Sequence, residues 1–349
     1  PDRARRASHG GPVRFILGRN HLNELDLRHV AHSQNGTGIV LSIVVVNWNT
    51  RDLLLRLLGQ LLPNPPIPCE VIVVDNQSSD DSVTAAWRAF PDAIVLPQPK
   101  NGGFAYGVNR GLERATGRWV LLLNTDAEAS WKDLQEFLAA AEREPDAAVF
   151  GPRIVDEHGR TQVSTWQRHL PRHYLPQALF LGRLVEKAPP KAAADVDCVS
   201  GCVFLIRSAV LAQVGGFDER FFMYYEEADF CARVRAAGRR VRWLPSTSFL
   251  HVGGLSAEQA AQRTFLAFRE SCLLYHAQWY GRGWTEWVRA CLLLGVVLRL
   301  CGWLVLAAAG RRNRAALYGR AASMLARPGL VGELCRRPRL VPKLPVLAR

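Results

Sequence analysis

The feature that most constrains this chain is a repeated alternation of short, predominantly apolar runs with amphipathic segments. IVLSIVVV begins at Ile39, EVIVV at Glu70, AIVL at Ala93, WVLLL at Trp119 and AAVFG at Ala147. Apolar strands with no polar alternation must be covered on both faces. The stretches between them, Arg51–Leu62, Asp80–Phe90, a segment near Tyr106–Ala115 and Trp131–Arg143, have helical spacing. Strand–helix repeats of this kind predict an α/β domain with a mainly parallel central sheet covered by helices on both faces. In such sheets ligands bind beyond the carboxyl ends of the strands. Polar clusters fall at those ends: Asn47-Trp48-Asn49, Asp75-Asn76 and Asn124-Thr125-Asp126. No GxGxxG follows the first strand, which argues against a dinucleotide-binding dehydrogenase, and NGGFAYG lacks the GK[ST] ending of a P-loop.

Charge is unevenly placed. The chain of 349 residues carries a net +13, but residues 282–349 hold 13 Lys and Arg against 2 acids and residues 1–38 hold 6 against 3. The region between is close to neutral, so basicity belongs to the ends and not to a nucleic-acid-binding core. Residues 1–38 read as a flexible basic arm with no apolar signal-peptide run. The eight cysteines form no CxxC pair and no zinc-like cluster, and read as reduced structural thiols in a cytoplasmic protein. From residue 256 onward the pattern is helical. The run 290–309 is apolar apart from Arg299, and a charge there costs roughly 2.5–3.5 kcal/mol on insertion scales. A helix lying in the membrane interface therefore fits better than a spanning one, with Trp284, Trp287 and Trp303 in the headgroup zone and Arg311, Arg312 and Arg314 against anionic lipid.

Between residues 152 and 255 the pattern is less regular, with PRHYLP and KAPPK suggesting an acceptor-side subdomain. It ends in a dense acidic segment, Glu226, Glu227 and Asp229, directly after the aromatic run Phe221-Phe222-Met223-Tyr224-Tyr225. Carboxylates drawn into a cleft wall by such a run would have raised pKa values, toward those of a general base. In order, SIVVVNWNT, VIVVDNQSSD, KNGGFAYGVNRGL, LLLNTDA, VSGCVFLIR and GGFDERFFMYYEEADFCARV resemble the family 2 glycosyltransferases, most closely a bacterial rhamnosyltransferase-like subgroup.

That resemblance implies a GT-A fold over 39–255, with a nucleotide-binding half (39–151), an acceptor half (152–255) and a helical, membrane-associated C-terminal region (256–349). It implies an inverting transfer from a nucleotide-diphosphate sugar, dTDP-rhamnose or a UDP-sugar, to a lipid-linked or polysaccharide acceptor at the inner face of the cell membrane. Donor contacts would come from Asn47, Asn49, Asp75, Asn101, Gly103, Asn109, Asn124 and Asp126. Asn124 stands where many members carry the first Asp of an Asp-x-Asp, leaving Asp126 as the charged ligand of Mg²⁺ or Mn²⁺, with His251 completing the site. Glu227 occupies the place of the catalytic base, with Glu226 and Asp229 as alternatives. Arg207, Arg233 and Arg263 are candidate phosphate contacts. Two other functions are compatible with parts of this pattern: a non-catalytic GT-A protein that binds nucleotide-sugars, and a sugar nucleotidyltransferase. The latter would need a basic, Gly-rich turn after the first strand, and NWNTRD does not supply one.

Overall fold

The computed structural model describes residues 38–166, 169–185, 190–253, 261–308 and 314–344. The basic arm expected at the N-terminus and the Arg311–Arg312 pair lie outside them. The chain forms β1 (Leu41–Asn47), α1 (Arg51–Leu61), β2 (Cys69–Asp75), α2 (Ser82–Ala89), β3 (Ile94–Pro97), α3 (Phe104–Arg114), β4 (Trp119–Leu123), β5 (Ala127–Glu128), α4 (Trp131–Glu142) and β6 (Ala147–Val155). These are followed by β7 (Thr165–Trp166), α5 (Tyr174–Ala178), β8 (Ala194–Asp195), β9 (Cys198–Val199), β10 (Val203–Arg207), α6 (Leu211–Val214), α7 (Glu226–Ala236) and β11 (Arg240–His251). Four helices complete the fold: α8 (Ala261–Trp279), α9 (Gly281–Ala308), α10 (Ala315–Ala326) and α11 (Leu330–Arg336).

The central sheet runs β3-β2-β1-β4-β10-β6-β11-β5, with β8 paired to β11. From β3 to β4 all pairings are parallel. Beyond β4 the sheet is mixed, because β10 lies antiparallel between β4 and β6. An apolar run reads the same in either direction, so strand sense is decided only by the connections. Side chains alternate between two cores. Ile43, Val45, Val71, Val73 and Leu121 meet α1 and α4 on one face, whereas Val44, Ile72, Val74, Val120 and Leu122 meet α3 and the α7–α8 layer on the other. This two-sided burial is why the strands are almost wholly apolar; the exceptions near the strand starts, Ser42 and Glu70, satisfy each other, Ser42 Oγ donating to Glu70 Oε1 at 2.5 Å.

Helix ends follow local chemistry. Ser130 caps α4, its Oγ accepting from Asp133 N at 3.1 Å, and Gly238 at φ +77° ends α7 in the left-handed region. The C-terminal helices are tied to the 215–220 turn that precedes α7. Asp218, fully buried, pairs with Arg220 at 2.7 Å, and Arg220 donates to the Arg337 carbonyl at 2.6 Å. The chain after α11 then returns to the 215–220 turn, with Gly216 N donating to Pro342 O and Glu219 N to Leu340 O, both at 3.0 Å.

α9 is 28 residues long, and its Gly281–Ala307 stretch is long and apolar enough to cross a bilayer, yet only 17% of its most apolar window is buried. One side packs on α5, α8 and α10 through Val288, Cys291 and Val296. The other exposes Trp284, Trp287, Leu294, Leu298, Leu304 and Val305.

Candidate active site

A cavity of about 360 Å³ opens at the carboxyl ends of the parallel strands, the location expected of an α/β sheet. Val46, Trp48, Asn76, Asn101 and Gly103 line one side, Asn124, Thr125, Asp126 and His251 a second, and Phe222–Tyr224 with Glu226, Glu227 and Arg263 a third.

The acid segment enters the cavity through an unusual backbone. Tyr224 and Tyr225 both have positive φ, +68° and +66°, at a cost of about 1–3 kcal/mol each. Packing holds them there: the Tyr225 hydroxyl lies 2.9 Å from that of Tyr174, Ser271 Oγ donates to the Met223 carbonyl at 2.9 Å, and the Arg263 guanidinium sits 3.7 Å from the centre of the Phe222 ring. The turn starts α7 with Glu226 and Glu227 facing the cavity. Each has one carboxyl oxygen buried without a hydrogen-bond partner. Burial raises Glu227 to about 7; burial and the neighbouring Glu227 charge also push Glu226 well above the usual carboxylate range. Two coupled carboxyls ionise in sequence, and Glu227, the less buried of the two, is the better placed to carry the first negative charge.

Gly103 joins this segment to the donor side. At φ +93°, a Cβ on it would sit 2.1 Å from the Phe222 carbonyl oxygen. That carbonyl accepts from Phe104 N at 2.8 Å at the start of α3. Asn101 Oδ1 accepts from Gly103 N at 3.0 Å, and Asn76 Nδ2 donates to Gly103 O at 2.8 Å. Asn76 Oδ1 is left buried with no partner, a ready acceptor for a ligand donor.

Strand register creates the Asp126–His251 pair. β11 opposes β5 with His251 across from Ala127, and Val252 N donates to Asp126 O at 3.0 Å, which sets His251 Nε2 3.3 Å from Asp126 Oδ1. Gln162 Nε2 donates to the His251 carbonyl at 2.9 Å, so its Oε1 faces His251 Nδ1, at 3.1 Å. The network thus assigns the ring proton to Nδ1 and turns the Nε2 lone pair toward a carboxylate oxygen. Two acceptors facing each other need a proton or a cation beside them. Ligands of one ion with bonds of about 2.1 Å at right angles lie about 3 Å apart, so this donor pair fits a divalent cation that takes both oxygen and imidazole. Among the described residues no third His, Cys, Asp or Glu joins them, which leaves the remaining positions to substrate oxygens and water.

Several residues expected in the site are placed elsewhere. Asp229, a candidate catalytic acid, is fully buried; its Oδ2 pairs with Arg233 Nε at 2.9 Å, and its Oδ1 accepts from Gln278 and from Trp279 Nε1 at 2.9 Å. Its charge is consumed in fixing α7 against α8. Asn109, expected among the donor contacts, staples α3 to the 215–219 turn, bonding Phe217 N and O, both at 2.8 Å, and Glu219 Oε1 at 2.9 Å. Asn47, Asn49 and Asp75 form a knot beside the cavity and do not line it. Asn47 donates to Asp75 Oδ1 at 2.8 Å, Ser78 N to Asp75 Oδ2 at 2.9 Å, and Ser79 N to Asn49 Oδ1 at 2.6 Å. They shape the turns that present Trp48 and Asn76. Of the phosphate candidates, Arg207 stacks on Trp119 and Arg233 pairs with Asp229, whereas Arg263 does reach the cavity. Trp48 and Asn76 belong to the polar clusters at the strand ends, whereas Gln162 and Trp166, which also bear on the site, lie outside every motif of the sequence.

The sequence profile of Glycosyl transferase family 2 matches residues 42–214. The chain is 29% identical over 300 residues to the N-acetylglucosaminyl-diphospho-decaprenol L-rhamnosyltransferase of Mycobacterium tuberculosis, covering 79% of this chain and 95% of that protein. It is 29% identical over 201 residues to the low-salt glycan biosynthesis hexosyltransferase Agl10 of Haloferax volcanii, 56% of this chain and 61% of the relative. A solved mannosyltransferase, PcManGT from Pyrobaculum calidifontis, aligns over 90% of this chain and 95% of its own with 17% identity and a TM-score of 0.49. With its family profile, rhamnosyl- and hexosyltransferase relatives and a cavity at the carboxyl edge of an α/β sheet covered by helices, the chain belongs to glycosyl transferase family 2.

Proposed function

We propose that this glycosyltransferase works with inversion, taking a sugar from a nucleotide-diphosphate donor to a lipid-linked acceptor at a membrane surface. The rhamnosyltransferase relative, named for L-rhamnose transfer to N-acetylglucosaminyl-diphospho-decaprenol, favours rhamnose as the sugar and an N-acetylglucosaminyl-diphospho-lipid as the acceptor; a dTDP donor is our choice over a UDP-sugar. The observation that carries the reading is the Glu226–Glu227 pair in the cavity wall, Glu226 buried and Glu227 half-buried, with Glu227 raised to about 7. A carboxylate at that value can remove a proton near neutral pH.

In this mechanism Trp48, Asn76, Asn101 and Gly103 hold the nucleotide portion, residues 39–151 acting as the donor half and 152–255 as the acceptor half. Asp126 and His251 would hold a divalent cation, which when bound offsets the charge that grows on the departing diphosphate. Glu227 accepts the proton of the acceptor hydroxyl as that oxygen attacks the anomeric carbon from the face opposite the diphosphate, so configuration inverts. Glu226, protonated, keeps a second negative charge out of the wall. Arg263 stands at the cavity edge, stacked on Phe222, as a cation for phosphate oxygens. The exposed apolar side of α9 and its tryptophans support docking on the bilayer interface.

The test is Glu227→Gln with purified protein, donor and a lipid-diphosphate N-acetylglucosamine acceptor. Loss of transfer with retained nucleotide binding is the expected result; undiminished turnover refutes the base assignment. Product stereochemistry, read by NMR, checks inversion.

A further inference from the structure

Behind the acid loop, between α5, α8 and α9, lies a second cavity of about 200 Å³. Two guanidinium groups face it, those of Arg269 and Arg299, together with Tyr174 and Gly295. Neither arginine makes an ion pair among the described residues. Arg269 gives Nη1 to the Phe265 carbonyl one turn back at 2.6 Å and stacks on that ring, but its Nε is buried with no hydrogen-bond partner. Arg299 gives Nη1 to the Gly295 carbonyl at 2.9 Å and lies over the Phe180 ring. Burial lowers Arg269 to about 10, and the neighbouring Arg299 charge acts in the same direction. Two like charges beside a buried, unsatisfied donor form an incomplete arrangement, because buried polar groups are otherwise partnered and buried charges paired.

An anion would complete it, and the planar forks of two arginines match phosphate oxygens. The surroundings narrow the class. Phe180, under the Arg299 guanidinium, is 65% exposed, and the uncovered side of α9 continues the apolar surface through Leu294, Val297 and Leu298. Gly295 makes room for the close approach of α5, since a Cβ there would lie 3.0 Å from Arg299 Nη1 and 3.2 Å from Ala178 Cα. A basic pocket set in an apolar surface suits an amphiphile better than a free ion.

We propose that Arg269 and Arg299 bind the exposed phosphate of a lipid headgroup, a phosphomonoester or diphosphate, while its chains lie on the apolar surface of α9 and Phe180. The site rests on the membrane-surface part of the reading above. It stands one hydrogen bond behind the acid loop, because Tyr174 lines the cavity and reaches Tyr225 at the start of α7.

Flotation with phosphatidylcholine vesicles containing either phosphatidic acid or, at matched charge, phosphatidylserine tests it on the full chain without donor or acceptor. The expected result is a preference for phosphatidic acid on the order of tenfold, the worth of one or two charge-assisted contacts. Arg269→Gln/Arg299→Gln abolishes that preference, and Arg282→Gln/Arg320→Gln, removing two exposed charges, retains it. Should the glutamine pair fail to fold, Arg269→Lys/Arg299→Lys keeps the charge, loses the fork and is expected to lose the preference. Binding without headgroup preference, or equal loss in the control variant, overturns the site alone. Absence of binding to every vesicle overturns the membrane reading beneath it. Erasure of the preference by inorganic phosphate, with equal thermal protection by that ion, makes it a free-phosphate site and overturns the lipid assignment.

Discussion

Replacing Glu227 by glutamine should stop the chemistry and, above neutral pH, stabilise the fold. In the folded protein burial raises the Glu227 carboxyl to about 7, against roughly 4.3 in an unfolded chain. At about 1.4 kcal/mol per pH unit the gap corresponds to about 3–4 kcal/mol. Glu227 is only half-buried at the cavity wall, and water there screens the charge, leaving about 1–2 kcal/mol. The sign follows from linkage: the folded state holds its proton more tightly, so stability is full below the unfolded value and declines as pH rises through about 7. Glutamine is always neutral, so this contribution is independent of pH in the variant. Urea unfolding of both proteins at about pH 4 and about pH 8 should show similar midpoints at the lower pH and a more stable variant at the higher one. Transfer should fall by about 10²–10⁴, while wild-type turnover rises through about pH 7. A variant less stable than wild type at the higher pH, or a wild-type rate flat across that range, would refute the account of Glu227 as a buried base.

Gly103→Ala should cost about 2–4 kcal/mol and weaken nucleotide binding, since its Cβ would displace the Phe222 carbonyl; wild-type stability in a denaturant titration would contradict the contact. Asp229→Asn should destabilise by about 3–5 kcal/mol by leaving Arg233 buried without its counter-ion; per folded molecule its pH–rate profile should match wild type, and a displaced profile would return Asp229 to the chemistry. Asp126→Asn should remove the extra thermal stabilisation that Mn²⁺ adds to dTDP or UDP, with metal-free nucleotide binding retained; an unchanged metal effect would discount the Asp126–His251 site.

Much of this protein was legible in its sequence because the signals are local. Apolar runs with no polar alternation announced strands buried on both faces, and the polar clusters after β1, β2 and β4 marked the carboxyl edge where the cavity lies. Glu227, Asp126 and His251 are singled out by the resemblance of the ordered motifs to the family, and the structure brings all three to one cavity. Tertiary structure decided the rest. The antiparallel sense of β10 depends on its connections. Asp229 and Asn109 carry the same chemistry as site residues, yet sit where α8 and the 215–219 turn absorb their hydrogen bonds. Gln162 orients His251 from 89 residues away in the chain, and Arg269 and Arg299 share a cavity although they lie on different helices. Sequence records which groups a chain owns and where local periodicity can bury them. Which of those groups find partners inside the chain, and which are left facing a cavity, depends on packing between distant segments.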